Sequence, residues 1–130
     1  MENGVVRLIR GVRGAITVER NEPSQIIEAT EKLLREMVIK NNIHPEKVAS
    51  VFISATHDIN SAFPAKALRR LEGWTYVPVT CMQEMAVPGS LEKCIRIMLH
   101  IETNRSQKDI CHIYLEKAKN LRPDLIDKQA

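Results

Sequence analysis

Five side chains in this sequence could bind and polarise a small anionic molecule. Cys81 and Glu84, a thiol and a carboxylate, lie where a short apolar strand ends, in the run VPVTCMQEM. Arg96 interrupts an otherwise apolar run (CIRIMLHIET), and Arg13 stands in the run GVRG. Arginine keeps its charge and binds carboxylates through a planar fork. The two arginines, together with Tyr114, therefore indicate a pocket for a dicarboxylate or a similar anion, with Glu84 and Cys81 as polar anchors.

Three other interpretations of these polar residues stay open. Cys81 could be a nucleophile activated by a histidine (His57, His100 or His112), although no cysteine-hydrolase signature surrounds it. A carboxylate, a thiol and an imidazole could bind a metal (Glu84, Cys111 and His112), but ligand spacing such as HExxH is missing. We therefore expect no metal and no cofactor. Finally, Glu84 and Arg96 could form a merely structural ion pair, although buried pairs are often no more stabilising than apolar packing.

The elements that must position these residues follow from the apolar spacing. A helix is predicted from Pro23 to about Lys40, with Asn21 as its cap, and a second one over 62–71, with Gly73 as its C-terminal cap. A short helical turn is plausible at 90–93. Within the apolar-rich segment 5–18 a first strand is predicted that ends at the glycine-flanked Arg13, and further strands are predicted at 48–56, 75–80, 94–103 and 110–115. The class is α+β, a mixed sheet with two main helices packed on it, in a single domain of residues 1–130.

Side-chain alternation in the segment 94–103 separates two faces. Ile95, Ile97, Leu99 and Ile101 share one face, whereas Arg96, Met98 and His100 share the other. The second face is neither fully core nor plainly solvent. The few aromatic residues could line a site, but core packing is expected for Phe52 and Trp74.

Composition excludes several classes of function. The formal charge of +3 comes from dispersed Lys and Arg, without the basic run of a nucleic-acid-binding protein. No apolar segment is long enough to span a bilayer, and the first residues lack the pattern of a signal peptide. The three cysteines are odd in number and lack paired spacing, so reduced thiols are expected. Cytoplasmic location is the default prediction.

The sequence resembles the monofunctional, trimeric chorismate mutases from residue 10 to residue 125. The shared blocks, in order, are RGVRGAITVER, FPAKA, GW, YVPVTCMQEM, KCIR, YLEKA and LRPDL. This resemblance implies a homotrimer that forms a pseudo-α/β barrel, with sites between subunits. It also implies the rearrangement of chorismate to prephenate, in phenylalanine and tyrosine biosynthesis, without a cofactor.

The resemblance further implies roles for individual residues. Arg96 lies beside the ether oxygen of the breaking bond, Arg13 and Tyr114 hold carboxylates, and Glu84 with Cys81 contacts the ring hydroxyl. The neighbouring subunit supplies the other wall: Phe63, Ala65, Lys66, Arg69, Val79 and Thr80. A C-terminal tail or flap, residues 116–130, includes Leu121 and Arg122. Residues 1–6 extend beyond the usual start, and 86–88 depart from the family pattern.

Two rival functions remain at this stage. A non-catalytic trimeric module that binds a small carboxylate ligand would use the same arginines, but it has no need of a charge aimed at an ether oxygen. Deamination of a reactive imine on a similar scaffold would usually require an arginine in a different sequence environment near the C-terminal end.

Overall fold

A mixed sheet of five strands forms the framework of the protein, for which a computed structural model describes residues 7–124. The strands are β1 (Leu8–Thr17), β2 (Val48–Ala55), β3 (Val79–Gln83), β4 (Cys94–Thr103) and β5 (Ile113–Tyr114). Their order across the sheet is β3-β2-β4-β1-β5. The central strand β4 is antiparallel to β1 and β2, whereas the outer pairs β1–β5 and β2–β3 are parallel. The predicted 1–6 extension and the last six residues of the tail lie outside the described residues.

One long helix, α1 (Pro23–Asn41), packs on one face of the sheet. Its apolar row of Ile26, Leu33, Leu34 and Met37 is fully buried. Pro23 occupies the first turn, and Asn42 ends the helix in the left-handed conformation. The predicted cap was wrong: Glu22 is the cap residue, and no side chain caps the first turn. The side chain of Asn21 instead bonds to the loop at Asn60 and Ser61.

The second predicted helix is present on the same side, as a 3₁₀ helix from Pro64 to Arg70. Two helices on a mixed sheet therefore confirm the α+β class. Gly73 does not cap this helix, which ends three residues earlier, but it adopts φ 88° in the following turn. Residues 90–93 form no helical turn: only 92 and 93 are bends, and Lys93 at φ 47° leads directly into β4.

The limits of three predicted strands differ from those in the structure by more than one residue. β1 does not end at Arg13 but continues to Thr17, since Gly14 serves a close approach: a Cβ there would stand 2.5 Å from Met37 Sδ. β3 begins only after Pro78, which lacks an N–H and instead accepts from the amide of Val51. β3 is an edge strand, as expected from the presence of Pro78. β5 has only two residues, because the backbone of Cys111 just before it bonds to the side chain of Asn41 instead of to the backbone of β1.

The core lies between α1 and the face of β4 that carries Ile95, Ile97, Leu99 and Ile101, and these residues are buried as predicted. Trp74 also belongs to this core, but Phe52 does not: it is 39% exposed on the opposite face. That face, which we call the open face, also exposes Ile9 and Met82. No helix in the part of the chain described is long and apolar enough to cross a membrane.

Candidate active site

Two rows of side chains run across the open face, because the strand registers align them. In the first row Arg96 on β4 lies between Ala15 on β1 and Ser54 on β2. Tyr114 on β5 and Met82 on β3 extend this row at its two ends. The small side chain of Ala15 leaves space beside the guanidinium of Arg96. Arg96 and Tyr114, predicted from distant parts of the sequence, thus lie in one row.

The second row lies two residues further along each strand, on the same face of the sheet. Arg13 on β1 pairs with Met98, which pairs in turn with Phe52, and Phe52 pairs with Thr80. Arg13 is therefore a diagonal neighbour of Arg96, at the spacing of about 7–8 Å that is typical of such pairs. Two cations this close on one face favour a ligand with more than one negative charge.

A cavity of about 300 Å³ lies over both rows. Its lining includes Arg13, Arg96 and Tyr114, together with Leu121 and Arg122 at the rim. Tyr114 is buried in a small apolar cluster, which Leu121 joins from the side. The cavity has the size of a site for a small molecule and presents three arginines to its contents.

Glu84 and Arg96 form an ion pair beside this cavity, with 3.1 Å between Arg96 Nε and Glu84 Oε2. The buried Nε–H is not aligned for a hydrogen bond with any acceptor among residues 7–124. Ser54 Oγ donates to the same carboxylate oxygen at 3.0 Å, and the amide of Met85 donates to Oε1 at 3.3 Å. The carboxylate is thus fixed from two sides and holds the guanidinium laterally. The Nη groups of Arg96 carry four further N–H donors.

The start of β4, two residues before Arg96, is tied to the loop after β2. Both oxygens of Asp58 accept from the amide of Lys93, at 3.2 and 3.0 Å. Thr56 donates to Asp58 and accepts from the amide of Cys94 at 3.0 Å. Burial raises the pKa of Asp58, but the bonds from Thr56 and Lys93 outweigh it and leave that pKa lowered. An ionised carboxylate therefore anchors the strand that carries Arg96.

Burial also acts on Cys94, which lies on the same strand as Arg96 and is almost fully enclosed. Burial raises the pKa of its thiol, and the nearby Arg96 opposes that rise only in part. The thiol under the first row is therefore neutral and packs as a small apolar group. At the rim, Arg122 donates two bonds to Asp124, at 3.0 and 2.9 Å, which raise the pKa of the guanidinium and lower that of the carboxyl.

The second group of predicted residues lies elsewhere in the chain. Phe63, Ala65, Lys66, Arg69 and Val79 line a separate cavity of about 470 Å³. One chain does not bring this group to Arg96. Thr80 alone projects from the open face, at the exposed end of the second row.

Cys81 is not brought together with Glu84 in one chain. It pairs with the core residue Ile53 and packs against the core, so its side chain faces the helix side of the sheet. Glu84 lies three positions later and faces the opposite side, beside Arg96. Cys81 lines a third cavity, of about 550 Å³, with Phe63 and Lys66. No three potential metal ligands cluster anywhere in the stretch from 7 to 124.

Sequence reasoning missed Ser54 and Phe52, which belong to the two rows. The alternation within β2 carried a signal for them, since they flank the core residue Ile53 and must share the other face. Their pairing with Arg96 and Met98 depends on the register of β2 against β4, which has no local signature.

Comparisons with known proteins agree with one another. The family model for chorismate mutase type I matches residues 9–125. A protein named chorismate mutase AroH from Bacillus subtilis (strain 168) is 52% identical over 118 residues, which cover 91% of this chain and 93% of the relative. Its namesake from Thermus thermophilus is 43% identical over 123 residues, 94% of this chain and 100% of the relative. A solved structure of a chorismate mutase from Clostridium thermocellum matches with a TM-score of 0.82 at 46% identity, covering 85% of this chain and 97% of that one.

Proposed function

This chain belongs to the chorismate mutase type I family, and we propose that it isomerises chorismate to prephenate at the open face of its sheet. It is a chorismate mutase, an isomerase, and it acts in aromatic amino-acid biosynthesis. Prephenate is a precursor of phenylalanine and tyrosine. Family membership supports the reaction, and the rows of Arg13 and Arg96 support the place where it occurs.

A concerted Claisen rearrangement suits a site of this composition. The reaction is unimolecular, so no proton has to move and no covalent intermediate is needed. Catalysis then consists of holding the chair-like reactive conformer and stabilising the charge that develops in the transition state. Neither task requires a nucleophile, a general base or a cofactor, and the 300 Å³ cavity combines arginine and tyrosine donors with a mostly apolar lining.

Arg96 carries the proposal. As the C–O bond breaks, negative charge gathers on the ether oxygen, and a guanidinium held in place can meet it without solvent reorganisation. The ion pair with Glu84 at 3.1 Å supports this role, because it restrains the guanidinium from the side while Arg96 lines the cavity. We assign Glu84 a second contact, with the ring hydroxyl of the substrate.

Arg13 and Tyr114 bind the carboxylates of the substrate in this proposal, with Leu121 and Arg122 closing the rim. Their common position around one cavity supports the assignment. The arginines offer planar forks that match carboxylates, and Tyr114 is fixed by burial against Ala15. Whether the tail from residue 116 closes as a flap stays a prediction.

A homotrimer supplies the other wall of each site. The predicted neighbouring-subunit residues line a cavity of their own, away from Arg96, and the side chain of Phe63 is 68% exposed there. The open face also exposes Ile9, Phe52 and Met82, an apolar surface that favours burial against another subunit. In the trimer Cys81 and Val79 approach the substrate from the neighbouring chain. Light scattering that gave a stable, active monomer would refute this arrangement.

Cytoplasmic location stays a prediction from the composition.

The test is the loss of chorismate absorbance with purified protein, run beside Arg96→Ala. Rapid conversion to prephenate that is reduced at least a hundredfold in the variant is the expected result. Chorismate that binds without reacting would instead support the rival function, a non-catalytic module for a small carboxylate.

A further inference from the structure

The hydrogen-bond ladder between β1 and β5 stops one step short of Arg13. Ala15 pairs with Tyr114, and its carbonyl accepts from the amide of Leu115 at 2.9 Å. In a parallel ladder of this register, the amide of Arg13 would donate to the carbonyl of Cys111. That bond is absent, because both partners bond to side chains instead.

The backbone of Cys111 is bound by Asn41, at the end of α1. Asn41 Nδ2 donates to the Cys111 carbonyl at 2.8 Å, and the Cys111 amide donates to Asn41 Oδ1 at 2.7 Å. Nδ2 also donates to the carbonyl of Met37 at 2.9 Å. Asn41 is only 3% exposed, and its buried amide has a partner for both oxygen and nitrogen. The helix thus fixes the position of residue 111 and of the residue that follows it.

His112 takes the place of the missing carbonyl. The amide of Arg13 donates to His112 Nδ1 at 2.9 Å. Since Nδ1 accepts this hydrogen bond, it carries no proton itself, and the ring proton of the imidazole lies on Nε2. The His112 side chain therefore completes the backbone bonding of β1 at Arg13, one of the arginines that line the site.

We propose that His112 is a positioning residue for Arg13, and that Asn41 holds it in place. This inference rests on the proposed function, in which Arg13 binds a carboxylate of the substrate. The half-buried amide of Arg13 needs an acceptor, and without one β1 shifts locally or leaves the amide unpaired. Either change moves the guanidinium of Arg13 away from the carboxylate that it binds, which weakens the binding of ground state and transition state alike.

The experiment compares two substitutions of His112. His112→Asn keeps an acceptor, since Asn Oδ1 occupies nearly the position of Nδ1, whereas His112→Leu removes it. His44→Leu, at an exposed histidine in the loop after α1, is the matched control. Two properties are measured: kcat and KM for chorismate, and the hydrogen-exchange rate of the Arg13 amide by NMR. The hydrogen-exchange rate is measured without substrate.

We expect His112→Leu to raise KM about tenfold with a smaller change in kcat, because a displaced Arg13 weakens the binding of ground state and transition state together. The Arg13 amide should lose protection in this variant. His112→Asn should restore both properties to within about threefold of the parent, and His44→Leu should change neither. Should the leucine variant not fold, His112→Ala also leaves the amide without a side-chain acceptor and gives the same comparison.

Two results would overturn the inference. One is a folded leucine or alanine variant with unchanged KM and unchanged protection of the Arg13 amide. The other is an asparagine variant as impaired as the leucine variant, which would mean that His112 acts through packing alone. Failure of the parent protein to convert chorismate would refute the proposed function itself, and this is seen before any variant is compared.

Discussion

Replacing Arg96 by lysine separates the geometry of the charge from the charge itself. Lysine keeps one positive charge, but its side chain is shorter. Its ammonium group reaches only about as far as Nε of Arg96, which lies 3.1 Å from Glu84 Oε2. We expect the ammonium to pair with Glu84 and the donors of the Nη groups to be lost. Loss of one such donor costs about 3–4 kcal/mol of transition-state stabilisation, so kcat should fall roughly a hundred- to a thousandfold.

Stability should change far less than activity. The side chains of Arg96 and Glu84 are 41% and 30% exposed, and pairs of this exposure contribute at most about 1 kcal/mol to folding. A large drop in kcat with a nearly unchanged melting temperature is therefore the signature of a catalytic role. Both quantities are measured on the same protein, by the initial rate of chorismate loss and by thermal unfolding.

The control for this experiment is Arg10→Lys. Arg10 belongs to the same sheet and donates from Nε to the carbonyl of Arg105 at 3.1 Å, but its side chain lies away from the open face. Its replacement should leave kcat unchanged. A lysine variant of Arg96 with kcat within tenfold of the parent would refute the reasoning, because a simple point charge would then suffice.

Three further substitutions test the structure around the site. Ser54→Ala removes the donor that holds Glu84 Oε2, and we expect kcat/KM to fall about fivefold, corresponding to about 1 kcal/mol for one hydrogen bond, in steady-state kinetics. Gly14→Ala places a Cβ 2.5 Å from Met37 Sδ in the core, and it should destabilise the fold by about 1–3 kcal/mol in urea unfolding. Asp58→Asn should destabilise the protein near neutral pH but much less in acid. The folded-state pKa of Asp58 is lowered, so its contribution is present above the unfolded pKa of about 3.9 and is lost as the pH falls through the folded value.

Each of these predictions has a result that would contradict it. For Ser54, the matched control is Ser50→Ala, on the same strand but hydrogen-bonded to His100; equal effects of the two changes would rule out a role specific to Glu84. For Gly14, an alanine variant as stable as the parent would mean that Met37 rotates away at no cost. For Asp58, unfolding free energies whose difference stays constant from pH 7 to pH 3 would show that its charge is not involved.

Local patterns predicted the parts of the fold that depend on neighbours in sequence. The strand Cys94–Thr103 and its division into two faces follow from alternation alone, and the apolar row of α1 follows from helical spacing. The exposure of Phe52 was missed because alternation places it on the face opposite Ile53 without showing which of the two faces is covered. Only the covering of one face by α1 decides between them.

The site was harder to predict than the strands that carry it. Expecting the third strand at 75–80 instead of Val79–Gln83 left open which face each of its residues would take. Cys81 was consequently grouped with Glu84, although strand alternation and pairing with Ile53 place it on the helix side. The contact of His112 with Arg13 joins residues far apart in sequence and has no pattern that a single sequence could show.

The pairing of β1 with β4 also governs how the site comes into being as the chain folds. Leu8 pairs with Thr103, so this contact closes almost the whole described chain into one loop. Closing such a loop costs conformational entropy before any contact stabilises the chain. Proteins rich in contacts between residues far apart in sequence therefore fold slowly. Helix α1 can form early from local contacts, but Arg13 and Arg96 meet only when the two strands do. Recovery of activity after denaturation should therefore report the completion of folding, and a nascent chain that ends before β4 contains the helix without the proposed site.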